Sequence, residues 1–434
     1  MPTTFRRMLS AARLCADIQR YGDYTGQQSL LPVYFVTLNL FPFFSSYSRL
    51  LRLSLFCLCL PLCSFCLPTV ADDGRLPDNF AELSDDVQAV ILEYAFFSEK
   101  ANQVWGQDFE EASAHAMVKY LDDYHTRVHI DFAAGRIRVE SERSKTPLTA
   151  IRQALVATLL TPADPSAVDL YTAADMGITG KPFLAGQVLD QDGKSIEYPW
   201  RAERFAQYLT EHKVQHKGAR YWVDVAMVRS HKQRSAEGYR PQVERAATRY
   251  KLSPALILAV IETESSFNPF AVSHSGAYGL MQVMQNTAGR DVYQRIYGRD
   301  DRPTRSYLLN PANNIDAGSA YLSILRDVYL RDIQGWQKRE YCIIAAYNGG
   351  AGNLLKAFHP DRKKAVQRIN SMSAEEVYRT IVYKHPKAES RRYLEKVIAF
   401  KKTLAVSVLC SAFVHINNLN RRVLSSLCQS TMHR

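Results

Sequence analysis

Outside one apolar stretch near the start, the cysteines of this chain show no metal-site spacing and no disulfide framework. Eight cysteines are present, and four of them (Cys57, Cys59, Cys63 and Cys66) crowd into one apolar stretch. Cys15, Cys342, Cys410 and Cys428 are scattered, which excludes zinc modules and disulfide-stapled folds. Cys342, inside the apolar run Tyr341–Ala346, reads as a buried packing residue. The eleven histidines also lack ligand spacing, so no metal and no other cofactor is expected. No nucleic-acid-binding motif accompanies the net charge of +11, and the basic residues are spread throughout, so a nucleic-acid partner is not expected. The remaining composition, 47% hydrophobic and 22% charged over 434 residues, is that of a globular protein with room for two domains.

Against this background three short blocks stand out: Glu264-Ser265-Ser266-Phe267, Gly279-Leu280-Met281-Gln282 and Ala346-Tyr347-Asn348-Gly349-Gly350. The first closes an apolar segment that reads as a helix. Ser253 can cap it, and Pro254 suits the first helical position, where a missing N–H costs nothing. Apolar residues fill most of Ala255–Ile261, so the helix should be buried on most sides rather than amphipathic. Leu256, Val260 and Glu264 share one stripe, at i, i+4 and i+8. Glu264 therefore continues an apolar row, where desolvation raises a carboxylate's pKa towards that of a general acid. Glu262 lies about 200° round the helix and cannot face the same cleft.

Residues of roughly 236 to 400 resemble the lysozyme-like catalytic domain of the lytic murein transglycosylases, in particular their membrane-bound C group. The resemblance rests on the Glu-Ser pair, Asn268-Pro269, Ala271-Val272-Ser273, Gly-Leu-Met-Gln and Ala-Tyr-Asn-Gly-Gly. A further block, usually Glu-Thr-x-x-Tyr-Val in that family, is Glu389-Ser390-Arg391-Arg392-Tyr393-Leu394 here. By position, the resemblance makes Glu264 the catalytic acid and puts Ser273, Gln282, Asn348 and Tyr393 in the cleft. Ser275, Gly279, Met281 and Tyr347 join them as expected substrate-binding positions. The amides of Gln282 and Asn348 suit N-acetyl groups and hydroxyls, and the two tyrosines offer flat apolar surface with a polar edge. Gly279 and Gly349-Gly350 are expected where a glycan lies close to the main chain.

Most glycosidases use two carboxylates, and the motif blocks supply no convincing second one. Asp316 reads better as an acid near the start of a helix, favoured by the dipole. With one carboxylate, Glu264 would protonate the bridging oxygen and then take the proton from the C6 hydroxyl of the same sugar. The 2-acetamido group would stabilise the developing cation, and intramolecular attack would close a 1,6-anhydro ring without water. The anhydro product is what the resemblance implies. The alternatives are a water-using muramidase of the same fold and an inactive glycan-binding scaffold. Attraction to murein carboxylates or anionic lipid would be one use for the positive charge.

Upstream, Thr126–Phe132 and Arg136–Glu142 alternate apolar and polar residues around Ala133-Ala134-Gly135, as a hairpin does. Ile151–Leu160 is expected as a helix, with Phe183–Leu189 and Arg220–Val228 as strands. Tyr221, Val223, Val225 and Met227 would form the apolar face of the last strand. The expected fold class is α+β, with a curved antiparallel sheet in an N-terminal non-catalytic domain followed by a mostly helical lysozyme-like domain. This N-terminal part also resembles the corresponding domain of the C group, at Asp164–Tyr171 and Lys181-Pro182-Phe183, and its expected role is scaffolding or glycan positioning. The expected division is 1–75 as signal or anchor, 76–235 as N-terminal domain, 236–400 as catalytic domain and 401–434 as an atypical tail.

Arg49 and Arg52 precede the uncharged run Leu53–Ala71, which ends in small residues before Asp72-Asp73 and reads as a secretion signal. The family's lipoproteins imply a lipid-accepting cysteine, yet Cys63 follows Leu60-Pro61-Leu62 rather than the usual Leu-small-small pattern. Cleavage after Ala71 or an uncleaved anchor are the alternatives, since the run is about long enough to span a bilayer. Residues 1–48, with a second apolar run at Leu30–Phe44, are most simply a start codon placed too far upstream. The expected location is the cell envelope, periplasmic and attached to the outer membrane, with peptidoglycan strands as the partner.

Overall fold

The computed structural model describes residues 80–82, 85–163, 181–273 and 276–404. The expected signal run, the Asp164–Tyr171 block, Ser275 and the tail beyond residue 404 lie outside them. All the described residues belong to one compact unit.

The first part is α+β, as expected. Helix α1 (Asp85–Trp105) leads into strands β1 (Ala116–Leu121), β2 (Thr126–Asp131) and β3 (Arg136–Glu142). Helices α2 (Pro147–Leu159) and α3 (Pro199–His212) follow, then β4 (Gln215–Lys217) and β5 (Arg220–Ala226). The five strands pair antiparallel throughout, in the order β1-β2-β3-β5-β4. The β2–β3 hairpin falls where the alternation places it, turning at Gly135 with φ +68°. A side chain at Gly135 would collide with the His231 ring, so close packing as well as the turn requires glycine.

One sheet face buries Val128, Ile130, Ile137, Val139, Val223 and Val225 against Ile151, Leu155 and Leu159 of α2 and Phe205 and Leu209 of α3. Each such side chain contributes about 1.5–3 kcal/mol on leaving water. On the opposite face, Phe97, Ala101 and Trp105 of α1 pack on Val118 and Tyr120, covering the β1–β2 side.

Two expectations for this part are corrected. Helix α2 begins at Pro147, four residues before Ile151, with proline at its first turn. Phe183–Leu189 is not a strand. Its backbone closes local turns, Ala185 N–H to Pro182 O and Gln187 N–H to Leu184 O, around Gly186 at φ +74°. Amides used within turns are unavailable to a ladder.

Helix α4 (His231–Tyr250) joins the two parts, and the expected 235/236 boundary falls inside it. Its first turns bond the sheet part, through His231 to Phe132 O and Ser235 to Gln187. Its far end bonds the helical part, through Tyr250 and Arg249 to Asp316. The helical part holds α5 (Pro254–Ser265), a two-stranded hairpin of β6 (Ala277–Tyr278) and β7 (Val283–Met284), α6 (Arg290–Arg295), α7 (Arg305–Leu309) and α8 (Pro311–Ile324). Next come α9 (Trp336–Gly349), α10 (Ala351–Lys356), α11 (Arg362–Ser371), α12 (Ala374–Lys384) and α13 (388–404). Helix α5 is buried on nearly all sides, as its composition requires. Ser253 occupies the N-cap position but caps through its carbonyl, since its hydroxyl makes no capping bond. Asp316 is not in the first turn of α8. It lies beyond that turn and accepts from Tyr250 at 2.9 Å and Tyr297 at 2.6 Å, so it ties helices together rather than answering a dipole.

Candidate active site

Glu264 sits on the last turn of α5, and the chain then leaves the helix through two consecutive left-handed residues, Ser266 (φ +51°) and Phe267 (φ +65°). Such backbone is costly for residues with a side chain and persists only when contacts hold it. Those contacts come from the sheet part. The His115 ring hydrogen-bonds the Ser266 hydroxyl at 3.0 Å, and the Asn268 side-chain amide donates to Ala114 O at 3.1 Å. The N-terminal part therefore grips the end of the helix that carries Glu264.

Glu264 is half-buried as a residue, with its carboxyl set among protein groups. Burial pushes its pKa up to about 8; a hydrogen bond from Tyr393 opposes that rise, and the negative charge of Glu389 adds to it. The Tyr393 hydroxyl donates to Oε1 at 2.7 Å. Burial and the neighbouring Glu264 hold the phenols of Tyr393 and Tyr347 well above their ordinary range, so both remain donors. Glu262 points elsewhere and pairs with Lys232 of α4 at 2.7 Å. The two glutamates thus have separate surroundings, and those of Glu264 favour a carboxylic acid protonated near neutrality.

The Gly-Leu-Met-Gln block forms the turn of the β6–β7 hairpin, and it is fastened on three sides. Ser265 of α5 donates to Leu280 O at 2.9 Å, and Tyr347 of α9 donates to Met281 O at 2.8 Å. Asn314 of α8 accepts from Met281 N–H at 2.8 Å and donates to Tyr278 O and Leu308 O, both at 2.7 Å. Ser265 and Asn314, which the sequence reading did not single out as site residues, thereby anchor the turn beside Glu264. Their only sequence signal was membership of the Glu-Ser pair and of the Asn313-Asn314 segment.

Gly279 and Gly349 have a packing reason beside the expected one. A Cβ at Gly279, where φ is +69°, would lie 2.6 Å from Asn314 Nδ2 and 2.8 Å from Leu308 O. One at Gly349 would lie 2.6 Å from Ser390 Oγ. Packing within the protein demands both, whether or not a glycan approaches. The Met281 side chain is fully buried against Gly318 and shapes the turn from inside. Gln282 is half-buried, with its amide nitrogen 3.0 Å from Gly279 O. The Ser273 hydroxyl accepts from Ala277 N–H at 2.9 Å and pins the loop before β6.

Asn348 lies at the end of α9 and bonds α13 through both ends of its amide. Its oxygen accepts from Ser390 at 2.6 Å, and its nitrogen donates to Glu389 at 3.1 Å. Ser390 stands where threonine is usual and supplies the same hydroxyl to this bond. Tyr393 lies one turn further along α13, so the Asn348 link orients the helix that presents the phenol to Glu264. Glu264, Tyr347, Asn348 and Tyr393 are thus brought together with the hairpin turn, and Glu389 joins them as a neighbouring carboxylate.

A family model described as the N-terminal domain of membrane-bound lytic murein transglycosylase C matches residues 84–237, and one described as the transglycosylase SLT domain matches 241–370. The membrane-bound lytic murein transglycosylase C proteins of Yersinia pestis (strain Pestoides F) and Yersinia pseudotuberculosis serotype O:1b are each 46% identical over 312 residues, spanning 70% of this chain and 87% of each relative. Among solved structures, an inactive mutant of the lytic transglycosylase Slt from Pseudomonas aeruginosa is 27% identical over 38% of this chain and 23% of its own, with a TM-score of 0.30.

Proposed function

The chain belongs to the membrane-bound lytic murein transglycosylase C family, and on that premise we propose how its residues perform the family's reaction. The enzyme is a peptidoglycan-cleaving lytic transglycosylase acting on the β-1,4 bond between N-acetylmuramic acid and N-acetylglucosamine, in cell-wall turnover. Protonated Glu264 gives its proton to the bridging oxygen as that bond breaks. The resulting carboxylate takes the proton from the C6 hydroxyl, which closes on C1 to leave the 1,6-anhydro ring. One group serves as acid and then base because its pKa, near 8, makes either form accessible at working pH. Tyr393 donates to the carboxylate at the moment it becomes charged, when a hydrogen bond is worth most. Tyr347, Asn348, Gln282, Ser273 and, from the sequence alone, Ser275 are proposed to line the glycan path, with Gly279 and the buried Met281 shaping its wall.

The observation that carries this reading is the pairing of a buried, proton-holding Glu264 with Tyr393, set against a Glu262 already neutralised by Lys232. Glu264→Gln should abolish release of soluble muropeptides from sacculi while leaving binding to them intact, and Glu262→Gln should retain most activity. A dead Glu262 variant beside a live Glu264 variant would overturn the assignment.

The relatives' membrane-bound name supports a cell-envelope location, and we propose that the catalytic part lies in the periplasm, attached to the outer membrane. Among the described residues no helix is long and apolar enough to cross a membrane. Fatty-acid labelling compared with Cys63→Ser and Cys66→Ser tests lipid attachment; a soluble chain beginning at Asp72 would contradict it.

A further inference from the structure

Helix α1 covers only the β1–β2 side of its sheet face, and what remains open over β3, β5 and β4 is a trough. Two adjoining cavities of about 490 and 310 Å³ lie there and share Asp108, Arg138, Glu140 and Arg220. Strand register explains their floor. Gln215, Trp222, Glu140 and Arg127 stand opposite one another across four strands, and Asp224, Arg138 and His129 form the parallel row. Arg127 and Glu140, 2% and 3% exposed, pair at 2.6 Å, and Arg138 grips Asp224 with two bonds of 2.8 Å. Arg127 in turn lies over the Trp105 ring at 4.3 Å. Trp222 rises from the floor half-exposed beside Arg138.

The charges here balance. The larger cavity has three acids (Asp108, Glu140, Glu142) and three bases (Arg138, Lys217, Arg220). The smaller likewise sets Asp108, Glu110 and Glu140 against Arg127, Arg138 and Arg220. Since the arginines are already neutralised by their neighbours, the trough has no net field to select an anionic peptide. It offers rigid acceptors and donors around an indole face, which is the chemistry of a neutral polyhydroxylated ring. We propose that this trough is a second glycan-binding site, separate from the Glu264 cleft, that holds uncharged sugar units of a murein strand with Trp222 as the platform. The choice of murein rests on the enzyme reading above; the sugar chemistry rests on the trough.

The test uses the full chain carrying Glu264→Gln, which cannot cut, and peptide-free murein glycan strands as the probe. Adding Trp222→Ala should weaken binding about three- to tenfold, the range of one aromatic platform. Trp222→Phe should restore most of it, and Lys217→Ala, on the exposed β4 edge, should weaken binding with no change in thermal stability. In the active chain, Trp222→Ala should raise KM on long strands and leave turnover of a soluble tetrasaccharide unchanged. Unaltered strand affinity in Trp222→Ala and Lys217→Ala would overturn the proposal, as would parallel losses on the tetrasaccharide. Binding of uncharged N-acetylglucosamine oligomers that Trp222→Ala leaves unaltered would also overturn it, in favour of recognition of the lactyl or peptide carboxylates. Binding is read without cleavage, so a wild-type chain that failed to cut murein would count against the enzyme reading and not against the trough.

Discussion

The Tyr393 hydroxyl donates to Oε1 of Glu264 at 2.7 Å, joining α13 to the last turn of α5 across 129 residues of sequence. This bond favours the ionised form of Glu264, whereas burial and Glu389 favour the protonated form. The balance decides how readily the group gives up its proton. Tyr393→Phe should raise the Glu264 pKa further and cut kcat by about ten- to a hundredfold, the equivalent of a charge-assisted bond of ~1.5–3 kcal/mol. Pre-steady-state turnover on sacculi checks the loss, and a kcat within twofold of wild type would contradict it.

Glu389 acts on Glu264 by charge alone in this account. Glu389→Gln removes a negative neighbour, so the Glu264 pKa should fall and the alkaline limb of the kcat/KM profile should move to lower pH. Products should keep their anhydro ends. A switch to reducing ends in wild type that Glu389→Gln abolished would instead make Glu389 a water activator.

The wild-type profile follows from the same shift. In the proposed mechanism the reaction starts from protonated Glu264, so kcat/KM should decline as pH rises through about 8. Stability has a matching sign. The folded pKa lies above the free value of 4.5, so the folded state binds the extra proton between them. The contribution is complete below about 4.5 and is lost as pH rises towards 8. Glu264→Gln should therefore gain thermal stability over wild type at pH 8 relative to pH 4. An equal difference at both would contradict burial of the carboxyl.

Asn314 holds the hairpin turn through three hydrogen bonds. Asn314→Ala leaves buried backbone groups unpaired and should cost roughly 1–3 kcal/mol for each group left unsatisfied. Gly279→Ala strikes the same contact from the other side and should lose stability too, with activity falling in both. Chemical denaturation gives the magnitude, and two unaltered midpoints would contradict the anchoring.

His115 reports on the grip between the two parts. Its pKa is lowered by burial first, with Lys396 and Lys232 adding to the effect and Glu262 and Asp131 opposing it. The unfolded state then binds more protons just below pH 6.5, so this contribution to stability is present above that pH and lost as pH falls through the folded value. His115→Gln should flatten that part of the stability curve. An unchanged acid limb would contradict the grip.

Much of this was legible from local pattern. The apolar run of α5 announced its burial, and the stripe ending in Glu264 separated it from Glu262 before any partner was visible. The β2–β3 alternation located its hairpin within a residue. Partners distant in the chain were not legible. Asn314 is one amide in a polar segment until the fold sets it against Gly279, and the burial of Met281 against Gly318 is visible only in the fold. Phe183–Leu189 has strand composition, but its amides close turns around Gly186. The charge ladder behind Trp222 exists only once the strand register is known.

The central claim is that Glu264 alone drives an intramolecular ring closure, and the mass of the products tests it most directly. Muropeptides released from purified sacculi by the wild-type chain should end in 1,6-anhydro-N-acetylmuramic acid, each lighter by one water than its reducing-end counterpart. Products ending mainly in reducing N-acetylmuramic acid would contradict the account and make the enzyme a hydrolase.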